Sequence, residues 1–585
     1  MSDNNNLLQP PSIVCREYSI QTSYEIETRF HVQPLTARWL TGRGFTPDNL
    51  EDFLDPRLRR LHRPIGMADY EKVVALLADC VSNKETIGLF GDYDTDGVSS
   101  VALWVLFFRA IGVPFHVRLA HRERGYGLTP EDVRQFAQAS IRTVIACDVG
   151  STDHDAARVA REAGITVIII DHHTIEAPYP DVDALINPMR ADCAFPFKGM
   201  ATVGLSFYII IGLRSRLERD CRIPPAELPD PKQYLDIVAL GTLADVAPLL
   251  DNNRILVHQG LQVINARRRS AIRALCEVVH IDNQEEITEK HVVFRMTPKL
   301  NAPGRMGDAQ MSLRLLTADD YEEAYSCALE LARINEQRQQ IQERMYEEAL
   351  EQAKASLDYR WGIVVSGVDW HPGIVGILAA KLAEHFQRPA VAVALQGDIG
   401  RGSVRTFGRI NIFEVIRKTA SYLVSFGGHA GAVGIEIERK KLGGFAAAFD
   451  ESLQAYAGLN EQKPLVFVDA IVALHELTSE FVRELRRIAP FGNQNPEPVF
   501  LSQNLDVVSV RYPRHTHLSL TLRDPVTSTM RQAIGYNMAK LVENRMPKRV
   551  DVVYIPEKNM QNQENVQLRI LHLWASGEEN AAVKR

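Results

Sequence analysis

The stretch TIGLFGDYDTDGVSSVALWVLFFRA (86–110) decides how the first half of this chain is read. The run TIGLF (86–90) has the length and composition of a strand, and a turn carrying Asp92, Asp94 and Asp96 follows it. The apolar segment after that turn predicts a helix over 98–111. Strand, turn and helix in that order make half of a parallel-sheet unit. The same alternation continues downstream, with strands expected at FHVRLA (115–120), TVIAC (143–147), ITVIII (165–170) and ALIN (184–187) and helices at 130–140 and 153–163. Such near-continuous apolar strands imply a parallel sheet covered on both faces.

Acidic and imidazole side chains recur where those strands end. Asp148 follows the third strand in CDVG, and Asp171, His172 and His173 follow the fourth in DHH. Asp245 stands in GTLADVAPL, inside a segment, 200–295, that reads as mostly helical. In an open α/β sheet ligands bind beyond the carboxyl ends of the strands, so residues spread over some 150 positions are expected to converge. Carboxylates with one or two imidazoles and no thiolate suit Mn²⁺ or Mg²⁺, and the set fits a two-metal hydrolytic site. A calcium loop is excluded: DYDTDG begins like one, but the twelfth position is Leu103 instead of a bidentate Glu, and the segment follows a strand. Singly, each of these residues reads more simply as a helix cap or a structural histidine; their order along one sheet does not.

With 585 residues the chain is too long for one core, and three or four domains are expected. Its 45% hydrophobic and 24% charged residues are those of a globular protein, and no apolar run approaches the ~20 residues of a membrane span. MSDNNNLLQPPS lacks a basic region followed by an apolar core, so no secretion signal is expected. The seven cysteines form no CxxC pair and read as reduced thiols of a cytoplasmic protein. A net charge of −7 argues against a protein coated in nucleic acid, but not against a locally basic channel. The basic clusters RLRRLHR (57–63), ARRRSAIR (266–273) and RELRR (483–487) read singly as solvated faces.

Residues 1–14 look disordered, and 35–66 predict short amphipathic helices. Asp319 to about Leu357 has neither Gly nor Pro and reads as one exposed helix connecting two lobes. A second α/β lobe runs from GIVVSG (362–367) through a helix at 373–386 and the strand AVAVAL (390–395) to about 460. From 464 onward several short strands suggest a small β-barrel.

The motifs DYDTDG, CDVG, DHH and GTLADVAPL, in that order, resemble motifs I to IV of the DHH phosphoesterases, and GGHAGAVG (427–434) resembles the signature of the DHH-associated domain. Within that superfamily the chain is most similar to the RecJ exonucleases. The resemblance is carried by LTARWLTGRGFTPDNLEDFLDP (36–56), TPKLNAPGRMGDA (297–309), WHPGIVG (370–376), GSVR (402–405) and PFGNQNPEPVF (490–500). It departs from the family at HRERGYG (121–127), one residue short, and at CDVGST, where an Asn more often follows the Asp. The resemblance implies two α/β lobes joined by a long helix, plus a C-terminal OB-like barrel. The implied parts are an N-terminal tail and helical segment (1–70), a DHH catalytic domain (71–317), the connecting helix (318–357), the DHH-associated domain (358–460) and the OB-like domain (464–575).

The resemblance also implies an activity, the 5′→3′ hydrolysis of single-stranded DNA to 5′ mononucleotides in repair and recombination, with two divalent ions. Asp94, Asp96, Asp148, His172 and Asp245 would hold those ions, Asp148 bridging, with Asp92 a further ligand or an acceptor behind one. Asp171 or His173 would orient a ligand or touch the scissile phosphate. Arg122 and Arg305 would contact phosphates near the cut, and Ser403 with Arg405 the 5′ phosphate. Gly427, Gly428 and His429 would bring backbone amides and an imidazole to a phosphate. In the barrel, Phe491, Phe500 and Tyr512 are candidate base-stacking residues beside Arg511, Arg514 and His517, although Phe500 reads better as core. Single-stranded DNA is the expected partner, a single-strand-binding protein or helicase a further one, no membrane is involved, and a monomer is expected. Three other readings exist: a DHH phosphodiesterase of short oligonucleotides or cyclic dinucleotides, which lacks the N-terminal helical segment and barrel present here; a catalytically silent replication scaffold, which would have lost ligands that this chain retains; and an inorganic pyrophosphatase, which would be far shorter and needs no nucleic-acid module.

Overall fold

The structure is a computed structural model that describes residues 11–122, 127–355, 361–456, 465–542, 546–559 and 566–577. It divides into two compact units, 57–461 and a second formed by 1–56 with 462–585.

In the larger unit the first sheet has five parallel strands, ordered Phe115–Leu119, Ile87–Gly91, Thr143–Cys147, Thr166–Ile170 and Ala184–Ile186. Its register matters for function. Gly91 pairs with Cys147, Cys147 with Ile170 and Ile170 with Ile186, so four strands end level. The next residues, Asp92, Asp148, Asp171 and Asn187, therefore stand side by side along one edge. Backbone bonds extend the ladder one step, from Asp92 N to Cys147 O (3.2 Å), Asp148 N to Ile170 O (2.8 Å) and Asp171 N to Ile186 O (2.9 Å). Separate hydrophobic clusters cover the two faces, as apolar strands without alternation require.

The helix Thr95–Ala110 begins three residues earlier than its apolar run suggests, because Asp94 caps it by accepting from the amides of Asp96 and Gly97. Gly97 allows this first turn to lie against the strand end: a Cβ there would sit 2.6 Å from the Asp92 nitrogen. Helices Thr202–Arg219, Leu235–Ala244, Asp251–Asn265 and Ser270–Val278 fill most of the segment expected to be helical.

The connecting helix is Tyr321–Ala355. It is not simply exposed: Ala324, Ala328 and Leu331 join the core of the first lobe, while Met345, Ala349 and Ala353 join that of the second. The second lobe has a mixed sheet in the order Leu423–His429, Ala432–Glu438, Ile399–Arg405, Ala390–Gln396 and Ile363–Gly367. Its last two strands pair in parallel and the others antiparallel.

In the smaller unit five strands close into a barrel, because Phe500–Arg511 pairs both with Leu518–Arg523 and with Arg549–Lys558. The N-terminal helices pack into the same core, where Ile26, Trp39 and Leu50 join Phe500, Leu520 and Leu568. The expectation of disorder over 1–14 fails within its described part. Ser12–Cys15 is a strand paired in parallel with Leu465–Val468, and Ile13 is buried with Val468, Leu501 and Trp574. The N-terminal helical segment is thus divided: 11–56 packs with the barrel, and residues from 57 onward belong to the larger unit.

Candidate metal centre and phosphate groove

Three overlapping sets of side chains place ligand atoms within 4.8 Å of one another: Asp92, Asp94 and Asp148; Asp148, His172 and His173; Asp96, His172 and Asp245. Every residue of the constellation read from DYDTDG, CDVG, DHH and GTLADVAPL, except Asp171, belongs to one of them. Asp148 and His172 each belong to two sets, with His172 Nε2 3.4 Å from Asp148 Oδ1 and His172 Nδ1 3.8 Å from Asp245 Oδ2. Asp148 itself has a left-handed backbone (φ 67°), a conformation uncommon for a residue other than glycine.

Asp171 has a different task. Its Oδ1 accepts from the His172 amide (2.7 Å), the His173 amide (3.2 Å) and His173 Nδ1 (2.8 Å), and Oδ2 accepts from the Ser151 amide (3.2 Å). It shapes the turn that presents both histidines. Asn187 ties the same turn down by donating to Ser151 Oγ and to the His173 carbonyl, 2.9 Å each.

The electrostatics show what the cluster lacks. Burial, then neighbouring Asp94, pushes Asp92 up to about 8. Burial and Asp245 push Asp96 to about 7, burial and Asp96 raise Asp148 well above the usual range, and burial raises Asp245 to about 6 against the pull of His172. Asp171 is the exception: burial opposes its charge, but His173, then Ser151 and His172, hold its pKa low. Burial likewise opposes a charge on His173, yet Asp171 raises it to about 9. Crowded carboxylates without enough positive charge are what divalent cations relieve. Two buried atoms, Asp92 Oδ1 and His172 Nε2, have no hydrogen-bond partner among the described residues, in keeping with a ligand role. The donor set, all carboxylate and imidazole, fits Mn²⁺ or Mg²⁺.

Several residues that serve the centre escaped the sequence reading. Thr202 Oγ1 donates to Asp148 Oδ1 (3.0 Å), and the amides of Thr202 and Val203, in the first turn of their helix, donate to Asp96 (2.8 and 3.0 Å). Asn301 Oδ1 accepts from Thr95 N (2.8 Å) and Thr95 Oγ1 (2.6 Å), tying the turn of Asp94 and Asp96 to the helix Thr297–Met306. These partners lie between 54 and 206 positions away in sequence, and no local signal marks them.

A groove of about 1030 Å³ lies in the same unit, lined by Tyr93, Arg122 and Arg305 from the first lobe and by Arg401, Gly402 and Gly427 from the second. Arg122 lies over the Tyr93 ring (4.2 Å) and donates to the Gly304 carbonyl (3.2 Å). Two glycines let backbones meet around Arg305: a Cβ at Gly304 would collide with the Tyr93 carbonyl, and one at Gly373 with that of Arg305. A salt bridge from Arg305 to Asp308, the simplest structural role, is not formed among the described residues. Burial, then Arg122 and Arg338, lowers Arg305 to about 10. Of HRERGYG, residues 123–126 lie outside the described residues.

Ser403 and Arg405 alternate along one strand face, and Arg405 Nη1 donates to Ser403 Oγ (2.6 Å) and the Val404 carbonyl (3.0 Å). Both lie over the first turn of the helix Val375–Phe386, where a Cβ at Gly376 would sit 3.1 Å from Arg405 Nη2 and 3.4 Å from Ser403 Oγ. The guanidinium has no acidic partner among the described residues, and burial lowers its pKa. A cation, a hydroxyl and the positive end of a helix together make a site for an anion. The glycine signature is a β-hairpin, not an open loop: Gly427, Gly428 and His429 pair with Gly434, Val433 and Ala432, and His429 Nδ1 accepts from the Gly431 amide.

In the barrel unit Phe500 is fully buried and Phe491 packs edge-on against Trp39 (6.3 Å). Tyr512, Arg511 and Arg514 are exposed, and His517 packs on the exposed Tyr536 (5.4 Å). Within ARRRSAIR, Arg269 pairs with buried Asp236 (2.6 Å) and Arg267 with Asn283, so two of that cluster's cations are structural.

A parallel sheet edged by this cluster, and a second lobe carrying GGH, define a protein of the DHH class. Residues 86–242 match the DHH family, N-terminal domain, and 361–455 the DHHA1 domain. Residues 468–572 match the RecJ OB domain. Single-stranded-DNA-specific exonuclease RecJ of Dickeya dadantii (strain 3937) is 33% identical over 542 residues, 88% of this chain and 94% of that protein. The enzyme of the same name from Bacillus subtilis (strain 168) is 31% identical over 533 residues, 90% of this chain, which spans 66% of that relative's length. A crystal structure of RecJ in complex with Mn²⁺ from Thermus thermophilus superposes with a TM-score of 0.81 at 29% identity, covering 96% of this chain and 79% of that one. The chain belongs to the RecJ family.

Proposed function

We propose that this chain is a two-metal-dependent exonuclease that hydrolyses single-stranded DNA from its 5′ end to 5′ mononucleotides, in DNA repair and recombination. The observation that carries the reading is the shared unit of an acidic, metal-type cluster and a groove walled by Arg122 and Arg305. Asp92, Asp94 and Asp148 would hold one ion and Asp96, His172 and Asp245 the other, with Asp148 between them. Bound there, the ions would supply Lewis acidity and a water acidic enough to attack at neutral pH. Asp171 fixes His172 and His173. Arg122 and Arg305 neutralise and orient phosphate oxygens beside the cluster, as guanidinium forks do. Ser403 and Arg405 take the terminal phosphate, whose extra charge distinguishes it from an internal diester.

The domain limits inferred from the sequence, 71–317 for the catalytic lobe and 358–460 for the second, remain part of this proposal. So do a barrel surface of Tyr512, Arg511 and Arg514 for the strand, a cytoplasmic location, a monomeric state, and a single-strand-binding protein or helicase as partner. No helix among the described residues is long and apolar enough to cross a membrane, and all seven cysteines are free thiols.

The test compares 5′-phosphorylated with 5′-hydroxyl single strands in Mn²⁺. The phosphorylated strand is cut faster, a 5′ label appears at once as mononucleotide, and Arg405→Ala narrows the difference roughly tenfold, the worth of one charged hydrogen bond. Stepwise shortening of a 5′-labelled strand, or indifference to the terminal phosphate, would refute the polarity.

A further inference from the structure

The buried face of the helix Tyr321–Ala355 contains an interruption that neither core explains. Ala324, Ala328, Leu331, Asn335, Gln342, Met345 and Ala349 follow one another at the three- and four-residue spacing of a packed stripe, with Arg338 at the step between Asn335 and Gln342. The stripe is apolar at both ends, where it meets the two lobes, and polar only in the middle.

Those polar residues form a holder. Arg338 Nη1 donates to Gln342 Oε1 (2.6 Å) and Nη2 to Asn335 Oδ1 (3.2 Å), while the buried Nε has no partner among the described residues. Two neutral amides thus fix the guanidinium without cancelling its charge. Glutamates stand nearby on the same helix, at 336, 343 and 347, yet none pairs with Arg338. Lys299, on the packed helix Thr297–Met306, is also half-buried with no acidic partner among the described residues. Arg338 depresses both neighbouring cations: after burial, it acts with Arg122 on Arg305 and with Arg295 on Lys299. Ile341, one turn from Arg338, lines the groove beside Arg305. Arg122 and Arg305 line that groove, Lys299 stands six residues before Arg305 on the helix Thr297–Met306, and that helix packs on Tyr321–Ala355, which carries Arg338.

We propose that Arg338 and Lys299, continuing from Arg305, form a further phosphate-binding subsite that holds an internal backbone phosphate of the single strand away from the scissile bond. A row of half-desolvated cations repels itself, and a polyanion threaded along it relieves that repulsion; an isolated small anion would satisfy only one member. The inference rests on the single-strand reading above and extends it from the reacting phosphate to the strand's path.

The test uses the full chain, with chelator present to stop cleavage, and 5′-phosphorylated 12-nucleotide strands in which one neutral methylphosphonate linkage is moved along the backbone. Beyond the linkages next to the 5′ end, one internal linkage should cost wild type roughly tenfold in affinity, and that cost should vanish in Lys299→Gln and Arg338→Gln. The slope of log Kd against log salt should fall by about 0.7 for the lost contact, while cleavage of a 5′-phosphorylated dinucleotide is unchanged. Lys299→Gln alters only a flexible side chain and keeps the test open should Arg338→Gln fold poorly. A methylphosphonate cost that persists in both variants, or an unchanged salt slope, overturns the subsite alone. Failure of wild type to bind the strand overturns the single-strand reading with it.

Discussion

Asp171→Asn separates orientation of the histidines from ligation of metal. Asn matches Asp in shape but offers one acceptor where Asp171 offers two, and the side chain is buried. Of its four donors, three converge on Oδ1 and one, the Ser151 amide, faces Oδ2. If the Asn oxygen keeps the histidine side, its NH₂ meets the Ser151 N–H, and a buried donor–donor contact replaces a charged hydrogen bond. If it flips, three bonds are lost instead of one. The cheaper arrangement costs on the order of 2–4 kcal/mol, one charged hydrogen bond plus an unsatisfied donor. Stability should fall accordingly in a denaturant titration of the metal-free chain. Loss of the group behind a ligating histidine costs roughly 10–100-fold in activity or metal affinity, so single-turnover cleavage in saturating Mn²⁺ should slow by that factor while strand affinity holds. Wild-type cleavage by a destabilised Asp171→Asn would refute the assignment of Asp171 as the residue that positions the histidines. Lost strand affinity with unchanged chemistry would make it a substrate contact instead.

Three further outcomes follow from other parts of the structure. Asn301→Ala removes the acceptor of Thr95 N and Oγ1 and should cost about 1–3 kcal/mol, with activation shifted to higher Mn²⁺ concentration because Asp94 and Asp96 share that turn; unchanged Mn²⁺ dependence would exclude the link. Asp153 is raised by burial from 3.8 to about 6 while accepting from the Leu128 amide (2.6 Å), so it favours the folded state when protonated, below pH 4, and that contribution is lost as pH rises through 6. Asp153→Asn should therefore stabilise the metal-free protein at pH 8, by on the order of 3 kcal/mol at most, and not at pH 4; the opposite pH trend would refute the shift. Removing residues 462–585 alone should leave an aggregation-prone chain, because Ile26, Trp39 and Leu50 lose their core. A 57–461 fragment should instead melt cooperatively, and a soluble 1–461 with an unfolded 57–461 would contradict the division into units.

The sequence alone determined the strands, the acidic turns after them and the order of the lobes, because each rests on a short run of neighbouring residues. A buried parallel strand needs five apolar residues in a row, and DYDTDG or DHH is legible as written. From those runs the cluster of Asp92, Asp94, Asp96, Asp148, His172 and Asp245 could be anticipated, since parallel strands end at one edge. Tertiary structure alone decided the level register that sets Asp92, Asp148 and Asp171 in a row, and the distant supports: Thr202 on Asp148, Asn301 on Thr95, Gly373 against Arg305. It also assigned Ser12–Cys15 to a strand and made GGHAGAVG a hairpin. The same holds for the polar break at Asn335, Arg338 and Gln342, which reads in sequence as one more stretch of solvated helix. The physical reason is common to all of these. Local hydrogen bonding and side-chain periodicity act between near neighbours, whereas a buried polar atom takes whichever partner the packing brings within about 3 Å, at any separation along the chain.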